Sequence, residues 1–558
     1  MRGREVLLRA LAGQWRLAAG GAVLAAGHQA GEVLVPVVIG VVIDEAISTG
    51  DAGSLAWWIA ALAMVFVGLS FSYRFSFRFA ERASERAAHT LRLELTRRTL
   101  DPRGGTEAGR LPGELVNIAN GDAKRVGAVH VALAAGTAAM AGLLAGGVVL
   151  LSVSVPLGLL VLLGIPPLLG LAHLLGKPLE RRSSAEQEQA ARASGVAADL
   201  VAGLRVLKGI RAERAAVDRY RRTSRDSLAA TVRAARAQAL HDGGMLTLTG
   251  VFIAIVVLVG GRLAIADEIT IGQLVTAVGL AQFLLSPLLI LSWANGELAQ
   301  GRASAARVAA VLATPPAVAG GHGSPSWPVR GAVRLRDVSY GDTLRGLNLE
   351  VAPGELVGIV TTDPAAATAL LRLLGRAADP ESGTVELDGV ALAGLDPAEV
   401  RRAVLVAEHD ADLFEGTLLE NVTAATTGGQ AGTAMAAAAV DEVASNLPHG
   451  TATALTERGR SLSGGQRQRV ALARALAAGA PVLVLHDPTT AVDTVTEARI
   501  AARVRAARGG RTTIVVATSP ALLAAADRVA LVDGGAVVAE GVHADLVHEH
   551  PAYRATIL

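Results

Sequence analysis

The sequence predicts an α-helical membrane domain with six transmembrane helices, followed by an α/β domain. Two patterns lead to this prediction: long apolar stretches before residue 312, and short β-branched runs alternating with helical segments after residue 331. A chain of 558 residues is too long for one ordinary domain. With 51% hydrophobic and 18% charged residues, it is too apolar for disorder and unusual for a soluble enzyme.

Six apolar stretches in residues 1–312 each reach the roughly 20 residues that a helix needs to cross a bilayer. A single stretch of this kind is compatible with a buried core helix, but six with few charges favour a membrane domain. The first is too long for a signal peptide, and no clean cleavage site follows it. The stretches are 18–43, 54–79, 128–153, 155–175, 242–266 and 271–296.

Positive charge is distributed unevenly around these stretches. The connection 44–54 contains no Lys or Arg, whereas 81–125 and 177–236 are rich in arginine. The positive-inside rule therefore places the long basic segments, both termini and the C-terminal domain in the cytoplasm. We expect a multi-pass protein of the cell (inner) membrane.

Charge and cysteine content exclude several classes of function. The 52 Lys and Arg residues nearly balance the 50 Asp and Glu residues, for a net charge of +2. No excess of basic charge attracts a polyanion, so we expect no nucleic-acid partner. The sequence has no cysteine, which excludes disulfides, thiolate metal sites and cysteine nucleophiles.

Residues 313–331 are rich in Pro and Gly and form a predicted linker between a domain at 1–312 and one at 332–558. In the second domain, apolar runs such as LVGIV, VLVL and TTIVV alternate with segments rich in Ala, Leu and Arg. This alternation predicts an α/β domain with a largely parallel sheet.

The strongest motif is LSGGQRQR at 462–469, followed by a helix-like segment and an apolar strand. A Ser-Gly-Gly turn that opens a helix exposes backbone N–H groups at the positive end of the helix dipole, which favours a phosphate. With this motif, the chain resembles a half-transporter of the ATP-binding cassette (ABC) family with the type IV exporter fold. The resemblance implies a P-loop-NTPase-like nucleotide-binding domain at 332–558, with ATP and Mg²⁺ as cofactors.

Three other short segments resemble the same family. The LFEGT segment is similar to the stretch that follows the Q-loop, and the TERG segment is similar to the X-loop. The AVD segment, which ends at Asp493, is similar to the D-loop. By the same resemblance, coupling helices lie near 203–211 and within 111–120. The three quoted segments are 413–417, 456–459 and 491–493.

The position of the P-loop departs from the family pattern. A working loop needs glycines that wrap the phosphates and a lysine that reaches them. The residues in register are Thr361, Pro364 and Ala366 for the three glycines, Ala367 for the lysine and Thr368 for the hydroxyl that contacts Mg²⁺. Pro364 also lacks an N–H donor, and Asp363 places a negative charge where phosphate would sit.

The catalytic positions are altered as well. In an ungapped register, His486 replaces the magnesium-orienting Asp of Walker B and Asp487 replaces the catalytic Glu; a second register makes Asp487 the Walker B Asp. Thr518 occupies the position of the switch histidine. Glu408 stands at the Q-loop glutamine, with His409 as the alternative.

The aromatic residue that stacks on adenine is expected near residue 340. Tyr340 and Asp342 are the two candidate positions for it. Together, these changes leave the chain's own ATP site degenerate. Sequence decay is the alternative explanation, but random decay would not spare the signature string in the same domain.

The resemblance implies a partner. In the family each ATP is held by the P-loop of one domain and capped by the signature of another, so two copies of this chain lack a working P-loop. We therefore expect an asymmetric heterodimer with a second ABC half-transporter that has an intact Walker A, catalytic Glu and switch His. This chain would contribute Asp493 and the signature residues Ser463, Gly464, Gly465 and Gln466.

Clues to the cargo are few. His28 and Glu32 lie four residues apart in the first apolar stretch, on one face of a helix. Ionisable residues in a span are candidates for a substrate path, although hydrogen bonds to a neighbouring helix are the alternative. We expect export of an amphipathic small molecule, lipid or peptide. An importer, a regulatory subunit without transport and an active homodimer remain alternatives.

Overall fold

The computed structural model describes residues 1–409, 412–426 and 429–557. The chain divides into two compact units. One comprises Met1–Leu95 and Gly113–Leu312, and the other comprises Thr96–Pro112 and Ala313–Leu558. The chain therefore changes unit at residue 313, and the short segment 96–112 groups with the C-terminal part.

The first unit is built from long helices. Three of them, α3, α6 and α8, span 48, 48 and 53 residues. Short π-helical segments follow α2 and α4, at Val42–Ile47 and Ile118–Asp122. The α-helices are α1 (Gly3–Gly13), α2 (Trp15–Val41), α3 (Ala52–Thr99), α4 (Pro112–Asn117), α5 (Ala123–Val153), α6 (Val155–Ala202), α7 (Leu204–Gly209), α8 (Glu213–Ile265), α9 (Ile271–Phe283) and α10 (Leu285–Leu312).

Among the described residues, five helical stretches are long and apolar enough to cross a membrane. The prediction of a helical membrane domain is therefore confirmed. The first apolar stretch forms α2, which is not among the five and carries three polar residues in its middle, so the sixth span stays a prediction. The five stretches are Ala52–Thr99, Pro112–Val153, Val155–Ala202, Glu213–Ile265 and Ile271–Leu312.

The predicted coupling segments both contain short helices. Helix α7 (Leu204–Gly209) reverses the chain between α6 and α8, within 203–211. Helix α4 (Pro112–Asn117) lies within 111–120. Their role in coupling stays a prediction.

The second unit is an α/β domain. Its helices are α11 (Pro364–Leu374), α12 (Pro397–Ala403), α13 (Leu418–Thr423), α14 (Ala431–Ala437), α15 (Val440–Ser445), α16 (Gly464–Ala477), α17 (Thr494–Arg508), α18 (Pro520–Ala524), α19 (His543–Glu549) and α20 (Pro551–Ile557). Its strands are β1 (Val333–Tyr340), β2 (Leu344–Val351), β3 (Leu356–Thr361), β4 (Ser382–Leu387), β5 (Val390–Ala391), β6 (Val404–Ala407), β7 (Gly416–Thr417), β8 (Ala454–Leu455), β9 (Val482–His486), β10 (Thr512–Val516), β11 (Arg528–Asp533) and β12 (Ala536–Gly541).

The central sheet has the strand order β12-β11-β3-β10-β9-β6. Strands β11, β3, β10, β9 and β6 are parallel, and β12 adds an antiparallel edge. Buried aliphatic residues fill β3, β9 and β10, as expected for a sheet covered on both faces. A second, antiparallel sheet of order β2-β1-β4-β5 was not predicted from the sequence.

Candidate functional site

The candidate nucleotide-site residues gather at one edge of the central sheet. Strands β3, β6, β9 and β10 are parallel, so their carboxyl ends share that edge, where ligands bind in open α/β sheets. The ends carry Asp363 after β3, Glu408 after β6, Asp487 after β9 and Thr518 after β10. The sheet thus brings the altered positions to the place where a nucleotide site is expected.

The segment after β3 forms an ordinary capped helix. Strand β3 ends at Thr361 and α11 begins at Pro364, so two residues separate them. The Asp363 carboxylate accepts a hydrogen bond from the Ala365 backbone N–H at 2.8 Å. Asp363 is therefore the N-cap of α11, and its negative charge stands at the positive end of the helix.

Helix α12 begins in the same way, which shows what kind of helix start this is. Its N-cap Asp396 accepts from the Ala398 N–H at 2.7 Å, and Pro397 is its first residue. Both helices thus begin with an Asp-Pro pair, a common N-terminal arrangement. The segment after β3 is built as a helix start and not as a phosphate-wrapping loop.

The other P-loop positions do not fit a nucleotide either. Ala366 and Ala367 are 2% and 4% exposed and belong to the hydrophobic core of the second unit. The Thr368 hydroxyl donates to the Pro364 carbonyl at 3.2 Å, within its own helix. Position 367, where the family has its lysine, faces the core and does not fit ATP. The Thr368 hydroxyl is bonded within its own helix and does not fit Mg²⁺.

A small polar cluster lies at the ends of β6 and β9. The rings of His409 and His486 meet edge to face, with 5.3 Å between their centroids. The His486 Nε2 lies 3.9 Å from an Asp487 carboxylate oxygen, and the other Asp487 oxygen accepts from the Thr518 N–H at 3.4 Å. The structure thus brings together both Walker B candidates, the switch position and one Q-loop candidate, while Glu408 is exposed.

The environment of His486 favours its neutral form. Burial lowers the pKa of His486, and the nearby Asp487 opposes this effect through its charge. Asp487 has φ +41°, a left-handed conformation that is uncommon for a residue other than glycine. Its backbone N–H donates to the Val516 carbonyl at 3.0 Å, which fixes this turn against β10.

The candidate adenine position lies at the end of β1. The guanidinium carbon of Arg372 lies 5.9 Å from the centre of the Tyr340 ring, a cation–π contact. Asp342, the alternative position, is exposed. One face of Tyr340 is therefore already in contact with an arginine of α11.

The signature segment forms a well-capped helix start. Ser463 is the N-cap of α16; its hydroxyl accepts from the Gln466 N–H at 3.3 Å, and the Gln466 side chain accepts from the Ser463 N–H at 2.8 Å. This is a capping box, and it leaves the Ser463 hydroxyl hydrogen free to donate. Helix α16 therefore presents an exposed serine and the N–H groups of its first turn, which suit an anion.

The signature helix is tied to the segment that precedes α17. A Cβ atom on Gly465 would lie 2.4 Å from the Ala491 carbonyl oxygen, so only glycine fits there. The Gln468 side chain donates to the Thr490 hydroxyl at 2.7 Å and accepts from the Ala491 N–H at 2.8 Å. Asp493 then caps α17, and the hydrogen bonds from Thr496 lower its pKa.

A cavity of about 520 Å³ adjoins this region, and Arg474, which lines it, was not singled out from the sequence. Arg474 of α16 stacks on Phe414, with its guanidinium carbon 5.5 Å from the ring centre, and donates to the Asp412 carbonyl at 3.0 Å. Burial lowers the pKa of Arg474. A charged residue on the otherwise apolar second half of α16 was the available signal.

The polar residues of α2 form a cluster in the first unit. The Gln29 amide donates to a Glu32 oxygen at 2.6 Å, and the His28 Nε2 lies 3.7 Å from the other Glu32 oxygen. The His28 Nδ1 lies 3.0 Å from the Leu69 carbonyl oxygen of α3. His28 also lines a small cavity, so it both bonds a neighbouring helix and faces a space.

Two family models match the chain. Residues 19–288 match the ABC transporter transmembrane region, and residues 344–490 match the ABC transporter model. The chain belongs to the ABC transporters. It carries the membrane region and the nucleotide-binding domain of this family in one multi-pass membrane chain.

Relatives of this ABC chain include exporters. It is 31% identical over 389 residues to an ATP-dependent lipid A-core flippase of Burkholderia thailandensis, which covers 67% of the chain and 64% of that relative. It is 32% identical over 531 residues to a multidrug efflux ATP-binding/permease protein of Mycobacterium bovis, which covers 94% of the chain and 44% of that relative. The chain thus spans less than two thirds of the length of either protein.

A solved structure shows the same fold over nearly the whole ABC chain. It is described as a bacterial Atm1-family ABC exporter with ATP bound. The match has a TM-score of 0.74 and 25% identity and covers 97% of both chains. The chain therefore has the Atm1-type exporter fold.

Proposed function

We propose that this chain is the nucleotide-deficient half of a heterodimeric ABC exporter in the cell (inner) membrane. One observation carries the proposal: the segment after β3 is a helix capped by Asp363, while the start of the signature helix keeps its serine, its glycines and its capping box. The chain is thus equipped to complete a partner's ATP site and not to hold ATP itself.

The loss at the chain's own site is large enough to matter. A P-loop holds phosphate with a lysine and several backbone donors. Each charge-assisted hydrogen bond of this kind contributes roughly 1.5–3 kcal/mol. Asp363 adds repulsion at the same helix end, so we expect the chain's own site to bind ATP weakly or not at all.

Chemistry at the partner's site would use five residues of this chain. Ser463 would donate its hydroxyl to the terminal phosphate, while Gly464 and Gly465 would present backbone N–H groups at the positive end of α16. Gln466 would hold the serine through the capping box. Asp493 would transmit the state of this site along α17. When bound, ATP and Mg²⁺ supply the phosphoryl chemistry and its charge neutralisation.

Export of an amphipathic small molecule, lipid or peptide is supported by the relatives. One is described as a lipid A-core flippase and one as a multidrug efflux protein, and the similar structure is an exporter. More than half of the multidrug efflux relative lies outside the match, although 94% of this chain is matched. That relative is long enough for two such halves, which agrees with a need for a second half here.

The test compares the chain alone with the chain and its companion. The tagged full chain is purified from its native membranes, and any co-purifying ABC half is identified; ATP hydrolysis is then measured for the pair and for the separately expressed chain. We expect turnover from the pair, a loss of at least tenfold with Ser463→Ala, and none from the chain alone. Vigorous hydrolysis by the separate chain would overturn the proposal in favour of an active homodimer.

The direction of transport, and its coupling to ATP hydrolysis, require a second measurement. The pair is reconstituted in lipid vesicles, and ATP-dependent movement of labelled lipid or drug is followed. Movement away from the nucleotide-binding side supports export. Movement toward it indicates an importer, and hydrolysis with no movement of any cargo tested indicates a regulatory subunit.

A further inference from the structure

The polar cluster of α2 has no hydrogen-bond donor between the side chains of His28 and Glu32 when His28 is neutral. The His28 Nδ1 lies 3.0 Å from the Leu69 carbonyl oxygen, which can only accept, so Nδ1 carries the hydrogen. In neutral imidazole Nε2 is then an acceptor. It faces a Glu32 carboxylate oxygen, another acceptor, at 3.7 Å.

The carboxylate is fixed in this position. The Gln29 amide, only 6% exposed, donates to the second Glu32 oxygen at 2.6 Å. Among the described residues, the ion pair that Glu32 forms is with His28 and not with Lys or Arg. Ionisable side chains within membrane spans are rare and mark functional sites by default, and α2 is the predicted first span.

The surroundings suit a positive charge. The Tyr73 ring lies 5.3 Å from the His28 ring, and the Phe77 ring lies 6.3 Å from that of Tyr73. A cation near aromatic faces is stabilised by their quadrupoles, more strongly where water is excluded. Both aromatic residues line the same cavity as His28 and Gln29, and no charged side chain is among the described residues lining it.

The size of the cavity limits the ligand. Its volume is about 160 Å³, whereas drug-sized ligands occupy pockets of roughly 300–1,000 Å³. The space accepts a head group and not a whole drug. His28 lines this cavity and Glu32 does not, and 39% of the Glu32 side chain is exposed, so the acceptor pair lies at the edge of the cavity and the tail of a ligand would stay outside it.

We propose that His28 and Glu32 form a binding site for the ammonium head group of an amphipathic amine. Two N–H groups of the ammonium would donate to the His28 Nε2 and to the facing Glu32 oxygen, and the ring of Tyr73 would lie beside the charge. The site needs N–H donors, so it selects a primary amine over a quaternary ammonium. That the amine is cargo rests on the proposed function; the binding itself does not.

The test measures binding to the full chain in lipid nanodiscs without nucleotide. Tritiated dodecylammonium and dodecyltrimethylammonium, which share the same tail, are titrated against wild type and variants, with empty nanodiscs for background. We expect saturable binding of dodecylammonium to wild type, at least tenfold tighter than that of the trimethyl compound. Glu32→Gln should weaken it at least tenfold, whereas Glu45→Gln, which alters a carboxylate bonded to Trp58 after α2, should not.

Several outcomes overturn the proposal. One is equal binding of the two amines to wild type, and another is unchanged dodecylammonium binding by Glu32→Gln, which indicates a purely structural pair. If Glu32→Gln does not fold, His28→Phe replaces it, since this variant keeps a ring but removes the Nε2 acceptor. The measurement involves neither a partner nor ATP, so a negative result would not contradict the proposed heterodimer. Likewise, a failure of the heterodimer proposal would not contradict amine binding.

Discussion

The Asp363 carboxylate accepts a hydrogen bond from the Ala365 backbone N–H at 2.8 Å and thereby occupies the helix end where a nucleotide phosphate would be held. The first turn of a helix after a strand is a ready-made anion site because its N–H groups lack partners within the helix. Here the chain supplies the anion itself. Under the proposed function, this is how an ABC domain would keep its fold while its own nucleotide site is lost.

Removal of this cap should destabilise the domain without creating a nucleotide site. Asp363→Ala leaves the Ala365 N–H without its acceptor and should cost about 0.5–2 kcal/mol of unfolding free energy. Thermal unfolding of the full chain measures the loss, and Asp396→Ala, the same change at α12, should cause a similar one. Tight Mg-ATP binding by Asp363→Ala would show that the carboxylate alone blocks the site.

Restoring the lysine should fail. The side chain of Ala367 is 4% exposed in the apolar core, so Ala367→Lys buries an ammonium without a partner and should cost roughly 3–5 kcal/mol. Thr368→Lys is the matched control, because position 368 is exposed and the same charge there stays in water. Unfolding by denaturant compares the two variants, and equal stability would contradict the placement of α11.

The signature glycines should respond differently to alanine. A Cβ on Gly465 would lie 2.4 Å from the Ala491 carbonyl oxygen, whereas one on Gly464 would make an ordinary 3.5 Å contact. We expect Gly465→Ala to lower the unfolding free energy by about 1–3 kcal/mol through overpacking, and Gly464→Ala to lower it less. Thermal melting distinguishes them, and an equal or reversed order would argue against this packing.

Stability should decline in mildly acidic solution partly because of His486. Burial lowers its pKa in the folded chain, so the unfolded chain binds more protons below the ordinary value of about 6.5. The free energy of unfolding therefore falls as pH drops below that value. His486→Gln should reduce this dependence below about pH 6.5, as measured by thermal melting; a slope identical to wild type would refute the assignment.

Local patterns account for most of what the sequence predicts correctly about the fold. Long apolar stretches and short β-branched runs depend on neighbouring residues alone, and the helices and the central sheet follow from them. The antiparallel sheet was missed because the run VRLRDVSY, which forms β1, was counted among the strands of the largely parallel sheet, whereas it pairs antiparallel with β2 and β4. A run of β-branched residues indicates a strand and does not specify its partner or its direction.

The candidate site was predicted in part. The four-residue spacing of His28 and Glu32 placed them on one helix face, as they are in the structure, while the altered nucleotide-site positions were assigned by register and stay a prediction. The early start of α11 was not foreseen, because the family register suggested a loop at Asp363. The Asp-Pro pair there was not a clear signal, since the same pair starts a helix at 396–397 but none at 379–380.

The link that Gln468 makes from α16 to Thr490 and Ala491 has a mechanical consequence. A displacement of the signature helix cannot stay local, because two hydrogen bonds and the close glycine contact carry it to the start of α17. A displacement of α16 that is caused by another subunit would therefore also displace α17, even if this domain binds no nucleotide of its own.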